Sequence, residues 1–168
     1  MSTVSKALAI AALLTVAACV KVTPPRTAPV RPTMQVAAPF AATWDAVIDL
    51  FASRNIPIQT LDRSSGLIVA QMSFVPEHGA PAWADCGTRS IPGVSSLEVR
   101  TERLAPTHAE MNILVRSTDA GSTVRATVRW TRRGPDVPEP LLCETTNVWE
   151  SALEDGIRAA AERAAGRR

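Results

Sequence analysis

Residues 123–131 read TVRATVRWT. Val124, Ala126, Val128 and Trp130 fall on one parity, and Arg125, Thr127 and Arg129 on the other. A period of two, apolar against polar, marks a strand with one face buried and one in water, the usual state of an antiparallel sheet. Just upstream, Met111, Ile113 and Val115 alternate in the same way within residues 110–117, and Asp119-Ala120-Gly121-Ser122 supplies turn chemistry between the two runs. Together they predict a hairpin at the centre of an antiparallel sheet. Outward from it, residues 97–102 alternate as a further strand. Residues 56–61 and 67–74 read as two strands around the turn Asp62-Arg63-Ser64-Ser65-Gly66, with Pro57 marking an edge or a strand start. Residues 34–37 make a short first strand.

Two segments carry the helical period instead. After Thr43, the expected N-cap, Trp44, Val47, Ile48 and Phe51 lie on one helical face, and Asp45 in the first turn suits the helix dipole. Near the C-terminus, Asn147 with Glu150 three residues on has the pattern of a capping box. Trp149, Ala152, Leu153, Gly156, Ile157 and Ala160 form the stripe that follows, with Glu150, Glu154, Arg158 and Glu162 outside it. Two amphipathic helices need one apolar sheet face. The expected fold is therefore α+β: an antiparallel sheet with two helices packed on one face, in the order β-α-β-β-β-β-β-α. Between the strands, Val75–Ser96 and Arg132–Pro140 lose all periodicity and read as loops.

The run Thr43-Trp44-Asp45-Ala46-Val47, then Ile56-Pro57-Ile58, then Asp62-Arg63-Ser64-Ser65-Gly66-Leu67-Ile68, resembles the repeated domain of the lipoprotein known as component C of the outer-membrane β-barrel assembly machinery. The likeness covers residues 34–74. It implies a helix-grip-like fold and a place in the bacterial cell envelope.

The N-terminus has its own pattern. Lys6 precedes the apolar run ALAIAALLTVAA over residues 7–18. That length suits a signal peptide, and falls short of the roughly 20 residues a membrane-spanning helix needs. The run ends Val16-Ala17-Ala18-Cys19, which resembles the lipobox of bacterial lipoproteins. The resemblance implies cleavage before Cys19, lipid on its thiol and attachment by two or three acyl chains such as palmitate. Val20, not Asp, follows the cysteine. By the same resemblance this points to the outer membrane on its periplasmic side, with the inner membrane as the lesser alternative. The expected plan is a leader over 1–18, a lipidated Cys19 with a Pro-rich tether over 19–33, and one domain over 34–168. Four prolines in residues 20–33 predict an extended spacer able to hold the domain up to about 40 Å from the bilayer.

Composition excludes some functions. The formal net charge is +2; Lys6 is the only charge before Cys19, so the chain from Cys19 carries +1, and Lys21, Arg26 and Arg31 sit in the tether, leaving −2 from Met34 onward. No basic tract or recognition motif suggests a nucleic-acid partner. Cys86 and Cys143 remain once Cys19 is assigned, and export places them in an oxidising compartment. A disulfide between them is the expected state; two free thiols or a metal pair are the alternatives.

His78 and His108 lack metal-ligand spacing, and neither a nucleophile elbow nor a phosphate loop is present. No catalytic residues, metal or cofactor are expected, and surface chemistry becomes the place to look. Arg125 and Arg129 share a strand face, with Arg116 and Arg100 as neighbours on adjoining strands. They form a candidate face for an anionic partner, or else a solvated face balanced by Glu98 and Glu102. The chain reads as a membrane-anchored, non-catalytic scaffold or adaptor with envelope proteins as partners. The alternative is a ligand-binding module using a groove between sheet and helices under the 75–96 loop, lined by Trp83.

Overall fold

In a computed structural model the chain is described over residues 22–73, 83–92, 99–135, 137 and 139–167. Residues 1–21, with the expected leader and Cys19, lie outside the described residues, as do His78, Glu98 and most of the 75–96 loop. The elements are β1 (Val22–Thr23), β2 (Met34–Val36), α1 (Phe40–Ser53), β3 (Ile58–Asp62), β4 (Leu67–Ser73), β5 (Ala84–Asp85), β6 (Thr88–Pro92), β7 (Val99–Arg103), β8 (His108–Thr118), β9 (Gly121–Arg132), β10 (Leu141–Thr145) and α2 (Val148–Gly166).

The fold is α+β, with an antiparallel sheet and two helices. The hairpin read from residues 110–131 is its spine: β8 and β9 pair over eleven positions from His108↔Thr131 to Thr118↔Gly121. The main sheet has seven strands in the order β3-β4-β8-β9-β10-β5, with β2 also on β9. Met111, Ile113, Val115, Val124 and Trp130 point to one face and are fully buried, against Val47 and Phe51 of α1 and Leu153 and Ile157 of α2. Each such side chain contributes about 1.5–3 kcal/mol of burial. On the opposite parity Arg125, Thr127 and Arg129 are exposed.

Four expectations change. First, residues 99–103 do not join the main sheet; they pair with β6, and β6 with β1, in a separate three-stranded sheet. The strand order is therefore richer than β-α-β-β-β-β-β-α, because the 75–96 loop contains β5 and β6, and β10 follows the 132–140 loop. Secondly, Thr43 is not a cap. The helix starts at Phe40 after Pro39, and Asp45 falls outside its first turn. Thr43 is buried instead, its hydroxyl 2.7 Å from that of Ser122, which donates to the carbonyl of Ala38. Thirdly, Glu150 and Glu154 are not outside the helical stripe; they are 2% and 1% exposed.

Fourthly, the Pro-rich segment is not a free spacer. From Val22 to Met34 it is built into the domain. Val22 and Thr23 pair with Arg89 and Thr88. The backbone N–H of Arg26 donates to Asp85, Asn147 donates its side-chain amide to the carbonyl of Pro29, and Arg31 pairs with Glu154. Gly87 is where the fit is tightest. It sits at φ +80, and a Cβ there would lie 2.1 Å from the carbonyl oxygen of Thr23. Only glycine lets the segment approach that closely.

Candidate functional site

The arginines named from the sequence lie on the helix-free face of the sheet, but they are not equivalent. Arg116 donates to the carbonyl of Ser65 at 2.7 Å and is engaged in holding the β3–β4 turn. Arg125 stands opposite Leu114 and Arg129 opposite Glu110. Among the described residues neither makes an ion pair or hydrogen bond. Four residues of strand put them about 13 Å apart along β9. Arg100 does not join them, since β7 belongs to the small sheet. Glu102, one of the expected counter-charges, faces Arg89 there at 2.7 Å. On β8 and β9 the charges of this face are thus Arg116, Arg125 and Arg129 against Glu110.

Beside Arg125 the sheet is interrupted. β2 covers the edge of β9 at Ser122–Val124, and β10 covers it at Trp130–Arg132. Among the described residues no strand covers the positions between them. The N–H of Ala126, which would donate to such a strand, donates at 2.8 Å to the buried carboxylate of Glu154 instead. The other oxygen of that carboxylate takes Arg31. A cleft of ≈ 210 Å³ opens here, lined by Arg31, Arg125, Val128, Asn147, Glu150 and Glu154 among others.

The start of α2 explains the second buried acid. Asn147 adopts φ 65 and makes no side-chain cap. Its backbone N–H donates to the Thr145 hydroxyl at 3.0 Å, and that hydroxyl donates to Glu150 Oε1 at 2.6 Å. The capping box expected from the spacing is therefore built through a threonine. This frees the Asn147 amide for Pro29, and it draws Glu150 inward. Sequence reading missed this site because its members come from both ends of the chain: Arg31 and Glu154 are 123 residues apart.

Cys86 and Cys143 are joined by a disulfide, 57 residues apart. It lies beside an aromatic cluster, since Cys143 is the cross-strand neighbour of Trp130. Trp83 lies 4.6 Å from Trp149 and 6.0 Å from Trp130 between ring centroids, and Arg54 stands over Trp149 at 5.8 Å. Trp83 is therefore packed against the two other rings between sheet and helix.

The turn between β3 and β4 carries a clearly perturbed titrating group. Asp62 accepts from the hydroxyls of Ser64 and Ser65 at 2.6 and 2.7 Å, and from their backbone N–H groups at 3.0 and 3.2 Å. These bonds, the Ser64 and Ser65 hydroxyls first, favour the charged form and lower its pKa from 3.8 to about 2. A depressed native pKa gives stability that is present above the unfolded value and lost as pH falls through the folded one. Wild type should lose stability between pH 3.8 and about 2 from this group. Asp62→Asn should flatten that part of a plot of urea midpoint against pH. Parallel profiles for the two proteins would show that the turn does not titrate in this way.

Among the described residues no group of three or more His, Cys, Asp or Glu could hold a metal ion. No described helix is long and apolar enough to cross a membrane. No protein-family model matches the chain, and no curated protein matches it.

Proposed function

We propose that the chain is a lipoprotein, anchored through Cys19 on the periplasmic side of the outer membrane, that works as a non-catalytic adaptor for envelope proteins. The observation that carries the adaptor reading is the helix-free sheet face. It offers Arg125 and Arg129, without partners among the described residues, on a rigid hairpin. Two guanidinium groups on a fixed strand suit an acidic protein surface, where complementary charge steers encounter and sets register. The signal run and the lipobox resemblance of residues 16–19 support the anchor, and the likeness of residues 34–74 supports the envelope setting. Export also fits a Cys86–Cys143 bridge. The packing of Trp83 against Trp130 and Trp149 favours an adaptor over a ligand binder with a groove under that loop.

The test replaces Arg125 and Arg129 with Ser in the full chain, followed by crosslinking in the native envelope and identification of captured proteins. The expected result is loss of the main captured protein with membrane attachment unchanged. An unchanged capture pattern would reject the arginine face. Release of Cys19→Ser protein into the soluble periplasm is the expected result for the anchor; retention in the membrane would reject it.

A further inference from the structure

The helix layer carries a second surface, independent of the arginine face. α1 and α2 run antiparallel, with Gly156 packed against Leu50 and Arg54. Towards the other end of the pair a cleft of ≈ 310 Å³ lies between them, with Ala46 and Ala160 in its walls. One rim is acidic and belongs to α1: Asp45 and Asp49. The other is basic: Arg163 of α2 and Arg167, which caps its C-terminus. All four are exposed. Among the described residues no ion pair links the two rims. Asp45 lies 3.8 Å from Arg63, with both side chains more than half exposed. Asp49, Arg163 and Arg167 have no side-chain partner among the described residues.

We infer that this face is the interface of a two-fold dimer, with a second copy of this chain as the occupant. Symmetry is the reason. An isologous interface must be complementary to itself. A two-fold axis in the plane of the interface and parallel to the helices places α1 of one protomer over α2 of its partner, and the reverse. Asp45 and Asp49 then meet the basic rim of the partner copy, and Arg163 and Arg167 meet its acidic rim. Asp49, Arg163 and Arg167, without partners among the described residues, each face an opposite charge, Asp45 gains one beside its weak contact with Arg63, and every contact is repeated about the axis. The alanine walls leave room for the helix pairs to approach. A partner of uniform charge would satisfy one rim and be repelled by the other. The sheet face with Arg125 and Arg129 lies on the far side of the molecule and stays free in such a dimer.

The interface makes an orthogonal charge swap possible. Two copies of the full chain carrying different C-terminal tags are expressed together, and capture of one through the other is measured after membrane solubilisation. Wild type should capture wild type. Asp45→Arg with Asp49→Arg should lose self-capture by roughly tenfold or more, because like charges then face each other across both halves of the interface. Arg163→Glu with Arg167→Glu should lose it equally. Co-expression of the two variants should restore capture, since every rim again meets its opposite. The intact Cys86–Cys143 bridge, read by mobility on a non-reducing gel, checks that each variant is folded. Failure of wild type to capture itself overturns the proposal. So does undiminished self-capture by either folded variant, or failure of the mixed pair to recover.

Discussion

Replacing Cys86 and Cys143 together with alanine is expected to lower stability by about 4 kcal/mol in a loop of this size. The bridge closes a loop of 57 residues, and most of its effect is to restrict the unfolded chain. That loop holds β6, β7, β8 and β9, and the cross-link ties Cys86, between β5 and β6, to β10, next to the end of the main sheet. Its local role compounds the effect. β5 touches the main sheet through only two register positions on β10, and Cys86 follows immediately. Cys86 and Cys143 are 0% and 5% exposed, which makes alanine the better replacement, since serine would bury two hydroxyls. Urea unfolding in oxidising buffer should show the variant displaced to a much lower midpoint. With reductant present, wild type should move to nearly the same curve. A midpoint unaffected by either treatment would mean that the bridge is not what ties these strands down.

The second large effect is expected at Arg31. Glu154 is buried and holds two partners, the N–H of Ala126 and the guanidinium of Arg31. Arg31→Ala leaves a buried carboxylate between α2 and β9 with its counter-charge gone. Removing one partner of a buried pair costs about 3–5 kcal/mol. The lower end applies here, because the Arg31 side chain is 21% exposed and water can enter where it was. Glu154→Gln added to Arg31→Ala should recover most of the loss. A glutamine can still accept from Ala126 while carrying no charge. The urea midpoint reads both steps. Limited proteolysis adds a local readout, since Arg31→Ala should expose residues 22–33 to cleavage before the rest of the domain unfolds. Equal destabilisation in the single and double variants would show that the charge of Glu154 is not the source of the cost.

What was legible in the sequence follows from how local each signal is. Residues 110–131 form a hairpin of consecutive strands, so parity alone gives the buried face. Val47, Phe51, Leu153 and Ile157 recur at helical spacing and are buried as expected. β10 was hidden because only three of its positions pair with β9, and its sequence, LLCET, does not alternate clearly. β5 was hidden because it is two residues long and its partner, β10, lies far away along the chain; β6, TRSIP, pairs with the nearby β7 but shows no apolar alternation of its own. Glu150 and Glu154 were misread for a related reason. A glutamate on a helix is assigned to water unless its partners are known, and theirs are a threonine just before the helix, a backbone amide on β9 and an arginine near the N-terminus. Of the candidate arginines, parity placed Arg125 and Arg129 correctly. It could not show that Arg116 is engaged by the Ser65 carbonyl. The two rims of the helix cleft, with opposite signs across it, needed the helix pairing.

The docked N-terminal segment bears on how the domain would be carried. Under the lipid-anchor reading, a spacer of residues 20–33 would act as a leash and let the domain swing. With the chain fixed to the fold from Val22 onward, only three residue steps separate it from Cys19. Fully extended, that is about 10 Å. Lipid at Cys19 would then act as a short mount. The end of the molecule formed by β1 and β6 would be held next to the bilayer, and the distance of every other surface from the membrane would be set by the fold itself.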